Sequence, residues 1–96
     1  MNLRPDVEAV VAFLRTIYAG WTRETTVRQM RSDWDAAFAK RAQDWPIDRF
    51  AIGGMSAEWI AAPDADATRA ILFLHGGGFR IGSIHSHRDL IQRLSQ

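Results

Sequence analysis

The stretch Ala70-Ile71-Leu72-Phe73-Leu74-His75-Gly76-Gly77-Gly78-Phe79-Arg80 decides how this chain is read. Its first five residues are a continuous apolar run without alternation, the pattern of a strand covered on both faces, as in the middle of a sheet flanked by helices. Three glycines follow, behind a histidine and ahead of an aromatic. A helical pattern then runs from Ser86 to Gln96, with Leu90, Ile91 and Leu94 on one side. Glycines lack Cβ, so a ligand can approach such a loop closely and meet its backbone N–H groups.

Three chemistries use a strand, a glycine-rich loop and a helix in this order. A dinucleotide fingerprint needs G-x-G-x-x-G, and Ile81 stands where the third glycine belongs. A phosphate-binding P-loop ends in Gly-Lys-Ser/Thr, and the only lysine is the distant Lys40. The third is an oxyanion hole, in which successive N–H groups stabilise the negative oxygen that develops in acyl transfer. Losing one such donor costs about 3–4 kcal/mol of transition-state stabilisation. An HGGG-type run after the third strand is a known oxyanion loop in lipases and esterases, and this run follows the chain's third strand-like segment.

Outward from the loop, the pattern predicts two helices and a hairpin. Val7, Val10, Val11, Leu14, Ile17 and Tyr18 make one stripe of a helix over Pro5–Ala19, with Pro5 at its first position, Asp6 and Glu8 in its first turn, and Gly20 at its end. Val27, Met30, Trp34, Ala37 and Phe38 make the stripe of a second, from about Arg23 to Gln43. Thr22 can cap it, and Thr26 with Gln29 also reads as a capping box. Trp45-Pro46 closes it. Asp48–Ile52 and Met55–Ala61 are β-compatible runs around Gly53-Gly54, a pair suited to a tight hairpin turn.

Composition excludes several functions. Apolar residues are 47% and charged residues 24% of 96 residues, which is ordinary for one folded domain. Eleven of the twelve basic residues are scattered arginines and the net charge is +1, so no nucleic-acid partner is implied. The absence of cysteine removes disulfides and thiolate chemistry. No signal peptide or membrane span is legible, which makes cytoplasmic the default location.

Bland roles compete for several residues. A triple glycine can be a mere flexible turn. His85 and His87, with His75, have no acidic or cysteine partner at ligand spacing, so no metal site or cofactor is expected. Ser83 and Ser86 read as caps of the last helix. Trp34 reads as packing, Trp21, Trp45 and Trp59 as half-buried aromatics, and Asp33, Asp35 and Asp44 as a solvated helix face. Ser56 in Gly54-Met55-Ser56-Ala57-Glu58 imitates a nucleophile motif, but Glu58 replaces its last glycine and the turn joins the wrong elements.

The segments Glu58-Trp59-Ile60-Ala61-Ala62-Pro63, His75-Gly76-Gly77-Gly78-Phe79-Arg80-Ile81-Gly82-Ser83 and Ser86-His87-Arg88-Asp89 resemble the bacterial hormone-sensitive-lipase family of α/β-hydrolases. The two leading helices resemble that family's N-terminal cap. The resemblance implies the N-terminal part of an α/β-hydrolase fold: cap helices over residues 1–46, then from 47–96 a hairpin, a first buried central strand and a helix, leaving the sheet incomplete. It implies that Gly77 and Gly78 present oxyanion N–H groups, that Gly76 lets the loop turn, that His75 pins it without acting as base, and that Phe79 lines the acyl pocket.

The nucleophilic serine, the acid and the catalytic histidine of that family are not matched by any residue here. The expectation is therefore a serine-type hydrolase of small apolar carboxylic esters or lactones, to which these residues contribute cap and oxyanion hole, and which they cannot run alone. A Ser, an Asp or Glu, and a His beyond residue 96 would complete the site, and the expected partners are a missing C-terminal portion or a second copy in a homo-oligomer. The alternative is a non-catalytic remnant that dimerises or packs on a partner through its incomplete sheet.

Overall fold

The computed structural model describes residues 2–96. Its elements are helix α1 (Pro5–Ala19), helix α2 (Val27–Ala39), strands β1 (Asp48–Ile52) and β2 (Met55–Trp59), and helix α3 (Ile84–Leu94). Pro5 and the acidic Asp6 and Glu8 occupy the first turn of α1, where a missing N–H is harmless and negative charge meets the positive end of the dipole. Of the two possible caps of α2, Thr26 is the one used. Its side chain accepts the Gln29 N–H at 3.1 Å, so the helix begins later than Arg23, and Thr22 and Thr25 instead form a separate turn.

An aromatic cluster joins the first two helices. Phe13 meets Phe38 edge-on at 5.7 Å, Tyr18 lies 6.1 Å from Trp34, and Trp34 sits 4.7 Å from Phe38. The Arg41 guanidinium covers the Phe13 ring at 4.9 Å, closing the cluster with a cation–π contact. Trp21 donates its indole N–H to Asp33 at 2.9 Å, which satisfies the polar edge of a half-buried ring.

The hairpin forms as its turn chemistry requires. Gly53 and Gly54 both have positive φ, 55° and 81°, and the strands pair antiparallel from Asp48 opposite Trp59 to Ile52 opposite Met55. β2 ends at Trp59 rather than Ala61, at the last pair of the ladder, Asp48 opposite Trp59. A bidentate ion pair between Glu58 of β2 and Arg88 of α3 anchors the hairpin. Arg88 Nε reaches Glu58 Oε2 at 3.0 Å, Nη2 meets Oε1, and the Glu58 side chain is 3% exposed.

The expected buried strand is the main correction. Residues 70–74 form no ladder, and Ile71, Leu72 and Leu74 are 66%, 87% and 81% exposed. A strand exists only through hydrogen bonds to neighbours, and among the described residues β1 and β2 bond to each other, not to this segment. Only Phe73 is half-buried, its ring 5.9 Å from that of His87.

The helix after the loop starts and ends earlier than the expected Ser86–Gln96. It runs Ile84–Leu94 from an N-cap at Ser83, and it buries Ser86 and Gln92 against the rest of the chain while Leu90 and Leu94 stay nearly half exposed. α3 packs chiefly on α2. Ala62 is the one buried apolar residue among those described. The chain exposes 7918 Å², whereas a compact globule of its mass exposes about 5,600 Å². It folds as interlocked surface elements whose apolar faces remain largely uncovered.

Candidate active site

The glycine loop turns through a run of left-handed residues. Gly77 has φ 135°, Gly78 φ 61°, and Phe79, a non-glycine, also φ 61°. The Arg80 N–H returns to the Gly77 carbonyl at 3.1 Å, so Gly77–Arg80 is a tight turn whose two central residues are both left-handed. Holding Phe79 there costs about 1–2 kcal/mol. Gly76, by contrast, has no positive φ and open space above its α-carbon, so the turning is done by the three residues after it.

Two hydrogen bonds set the direction of the glycine N–H groups. His75 Nδ1–H donates to the Gly76 carbonyl at 2.9 Å; a carbonyl only accepts, which assigns the proton to Nδ1. The Gly77 carbonyl accepts from both Arg80 and Ile81 N–H groups, each at 3.1 Å. In a trans peptide the N–H points opposite to the carbonyl of the same plane. Fixing the Gly76 carbonyl therefore aims the Gly77 N–H, and fixing the Gly77 carbonyl aims the Gly78 N–H. Neither N–H has a protein acceptor among the described residues.

The loop lines a concavity of about 380 Å³ together with Arg31, Ile81 and Gly82. Phe79, at its rim, is fully exposed. Two glycines are sterically required. A Cβ on Gly77 would stand 1.8 Å from the Ile81 carbonyl oxygen, and one on Gly82 would stand 2.4 Å from the Gly76 oxygen and 2.7 Å from His75 Nδ1. Gly78 has nothing within 4 Å of such an atom.

Three contributors escaped the sequence reading. Gly82 makes room for the His75 ring, and its spacing from Gly78 carries no recognised motif. Arg31 on α2 reaches across to donate from Nε to the Arg80 carbonyl at 2.9 Å and from Nη2 to the Phe79 carbonyl at 3.4 Å. Asp35, expected on a solvated face, instead accepts the Ser83 hydroxyl at 2.7 Å. Contacts 48 or 49 residues apart leave no local signal. Ser83 and Ser86 do cap α3, each side chain bonding the other's backbone in a reciprocal box.

Ser86 Oγ also lies 3.0 Å from His87 Nδ1, the spacing of a nucleophile and its base. Ser86 is 8% exposed and its oxygen already accepts the Ser83 N–H, so no substrate can reach it. Ser56 sits mid-hairpin opposite Ala51 with no hydrogen-bonded histidine. His75 and His87 stack at 5.5 Å, and no group of three or more potential metal ligands is found among the described residues. No described helix is long and apolar enough to cross a membrane.

No family model matches the chain. It is 41% identical over 49 residues to an acetyl-hydrolase of Streptomyces hygroscopicus, covering 51% of this chain and 16% of that protein. It is 26% identical over 96 residues to the putative acetyl-hydrolase LipR of Mycobacterium tuberculosis, 99% of this chain and 31% of LipR. The chain thus spans less than a third of the length of these relatives. Among solved structures, an esterase of the bacterial hormone-sensitive lipase family superposes with TM-score 0.80 at 31% identity, over 99% of this chain and 32% of that one. The EstE5–PMSF structure does so with TM-score 0.65 at 29% identity, over 91% and 31%. Nearly the whole chain is thus similar in sequence and fold to about a third of an esterase of the bacterial hormone-sensitive lipase family, consistent with an N-terminal portion of that α/β-hydrolase fold.

Proposed function

We propose that these residues are the cap and oxyanion hole of a serine-nucleophile hydrolase acting on small, apolar carboxylic esters or lactones. The observation that carries the reading is the pair of unpartnered N–H groups of Gly77 and Gly78, each aimed by a bonded carbonyl on the far side of its peptide plane. A serine outside this chain attacks the ester carbonyl. The negative oxygen settles between Gly77 and Gly78, alcohol leaves, and water releases the acid from the acyl-enzyme. His75 holds the loop through its bond to the Gly76 carbonyl, and the base is a histidine outside these residues.

In this reading residues 1–46 form the cap and 47–96 begin the catalytic core. Residues 71–74 become a central strand once neighbours pair with them, and Phe79, exposed in this chain, lines the acyl pocket once the rest of the fold covers it. No cofactor is needed, and the enzyme works in the cytoplasm. The test uses the full-length protein that carries this chain. Short-chain p-nitrophenyl esters should turn over and serine-directed phosphonates should label it, while residues 1–96 alone should do neither. Absence of both turnover and labelling in the full-length protein refutes the proposal.

A second reading is favoured by the exposed run Ile71-Leu72-Phe73-Leu74, whose free edges and apolar side chains suit association. In that case the 96 residues persist as a non-catalytic remnant that dimerises or packs on a partner. The mass of the native protein separates the two: about 30 kDa per subunit supports the hydrolase, since one large α/β domain needs roughly 250 residues. A stable native species of 96 residues supports the remnant.

A further inference from the structure

We infer that Arg31, on cap helix α2, is a positioning residue for the oxyanion hole, acting on the Gly78 N–H through two intervening peptide planes. The inference rests on the reading of Gly77 and Gly78 as oxyanion donors. Arg31 donates to the Phe79 and Arg80 carbonyls, at 3.4 and 2.9 Å. Those carbonyls belong to the peptide units whose opposite edges are the Arg80 and Ile81 N–H groups, and both of these N–H groups converge on the Gly77 carbonyl at 3.1 Å. The Gly77 carbonyl in turn shares its plane with the Gly78 N–H. Guanidinium, paired carbonyls, paired N–H groups and Gly77 oxygen form one polarised chain ending at the donor.

The arrangement also accounts for the left-handed Phe79. A non-glycine at φ 61° is held against its own preference, and the guanidinium fork spanning the carbonyls of Phe79 and Arg80 supplies the restraint. A guanidinium suits this task because its donors sit in a rigid planar fork, whereas a lysine ammonium offers a single point and cannot span both carbonyls in fixed geometry. Arg31 lines the concavity, and its two hydrogen bonds to the loop go to carbonyls rather than to the glycine N–H groups, so its effect on the hole runs through the loop backbone.

The experiment compares wild type, Arg31→Ala and Arg31→Lys in the full-length enzyme. Removing an oxyanion donor outright lowers kcat by about 10²–10³-fold; loosening one should lower kcat about tenfold, with KM within twofold of wild type. Affinity for a trifluoromethyl ketone, whose hemiketal oxyanion occupies the hole, should fall in parallel with kcat/KM. Methylguanidinium should restore part of the Arg31→Ala activity, and Arg31→Lys should remain impaired. An unchanged kcat in a folded, active enzyme overturns the inference, as does a loss of turnover with undiminished ketone affinity. The Gly78 amide resonance gives a reading independent of turnover: it should shift in Arg31→Ala, and an unshifted resonance overturns the inference even if the wild type proves inactive on esters. Inactivity of the wild type counts against the proposed function alone.

Discussion

The side-chain amide of Gln92 closes a two-bond ring with the backbone of Gln43. Its oxygen accepts the Gln43 N–H and its nitrogen donates to the Gln43 carbonyl, each at 2.7 Å, and Gln92 is 1% exposed. The ring ties α3 to the chain leaving α2. Gln92→Leu would strand both backbone groups, and a buried unsatisfied polar group costs about 1–3 kcal/mol. The variant of the full-length protein should therefore lose at least about 2 kcal/mol in urea unfolding. Gln92→Glu should be destabilised at neutral pH, where its carboxylate opposes the Gln43 carbonyl, and should recover as acid protonates it.

The glycines of the loop should respond differently to one methyl group. Gly77→Ala places Cβ against the Ile81 carbonyl, so the turn must rearrange and kcat should fall at least about 100-fold, the scale of a lost donor. Gly78→Ala meets no atom and should cost about 1–2 kcal/mol for its left-handed backbone. Thermal unfolding alongside ester turnover distinguishes them: Gly78→Ala should keep a folded loop, and equal damage from both would contradict the geometry.

Removing one partner of the Glu58–Arg88 pair should cost more than removing both. Arg88→Ala leaves a carboxylate only 3% exposed, for which about 3 kcal/mol of destabilisation is expected, with Arg49 at 3.4 Å giving partial relief. The double variant Glu58→Leu/Arg88→Met should regain most of that stability. A denaturant-based double-mutant cycle measures the difference.

The polar turn before the apolar run carries a pH signature. Asp66 Oδ1 accepts both the hydroxyl and the N–H of Thr68, at 2.6 and 2.9 Å, and these bonds hold its carboxyl below the usual value of 3.8. Because the folded pKa is depressed, the stabilisation is complete above 3.8 and is lost as pH falls through the folded value. Thr68→Val should move the Asp66 midpoint back up in an NMR titration, and an unmoved midpoint would contradict this cause.

Much of the fold was legible because its signals are local. Pro5, Gly20, Gly53-Gly54 and the Ser83–Ser86 box each act within a turn or two, and each marks the element boundary expected or resolves an ambiguity near it. The loop was legible for the same reason: His75 through Phe79 is a contiguous word. What the sequence concealed lies across the chain. Arg31, Asp35, Gln92 and Gly82 are ordinary residues until folding brings them to carbonyls, hydroxyls and rings far from them in the sequence. Residues 70–74 fail in the other direction: their pattern describes a strand among neighbours that these residues do not themselves include.

The exposed run at Ile71–Leu74 has a consequence for synthesis as well as for structure. In an esterase as long as the relatives matched here, some two hundred residues would follow this segment, and translation at 5–20 residues per second would need about 10–40 s to make them. During that interval the glycine turn is already braced by α2, while the tape beside it waits unpaired. Ribosome-bound nascent chains would then be most vulnerable to chaperone capture or misassembly at residues 71–74, just before the loop proposed to hold the oxyanion.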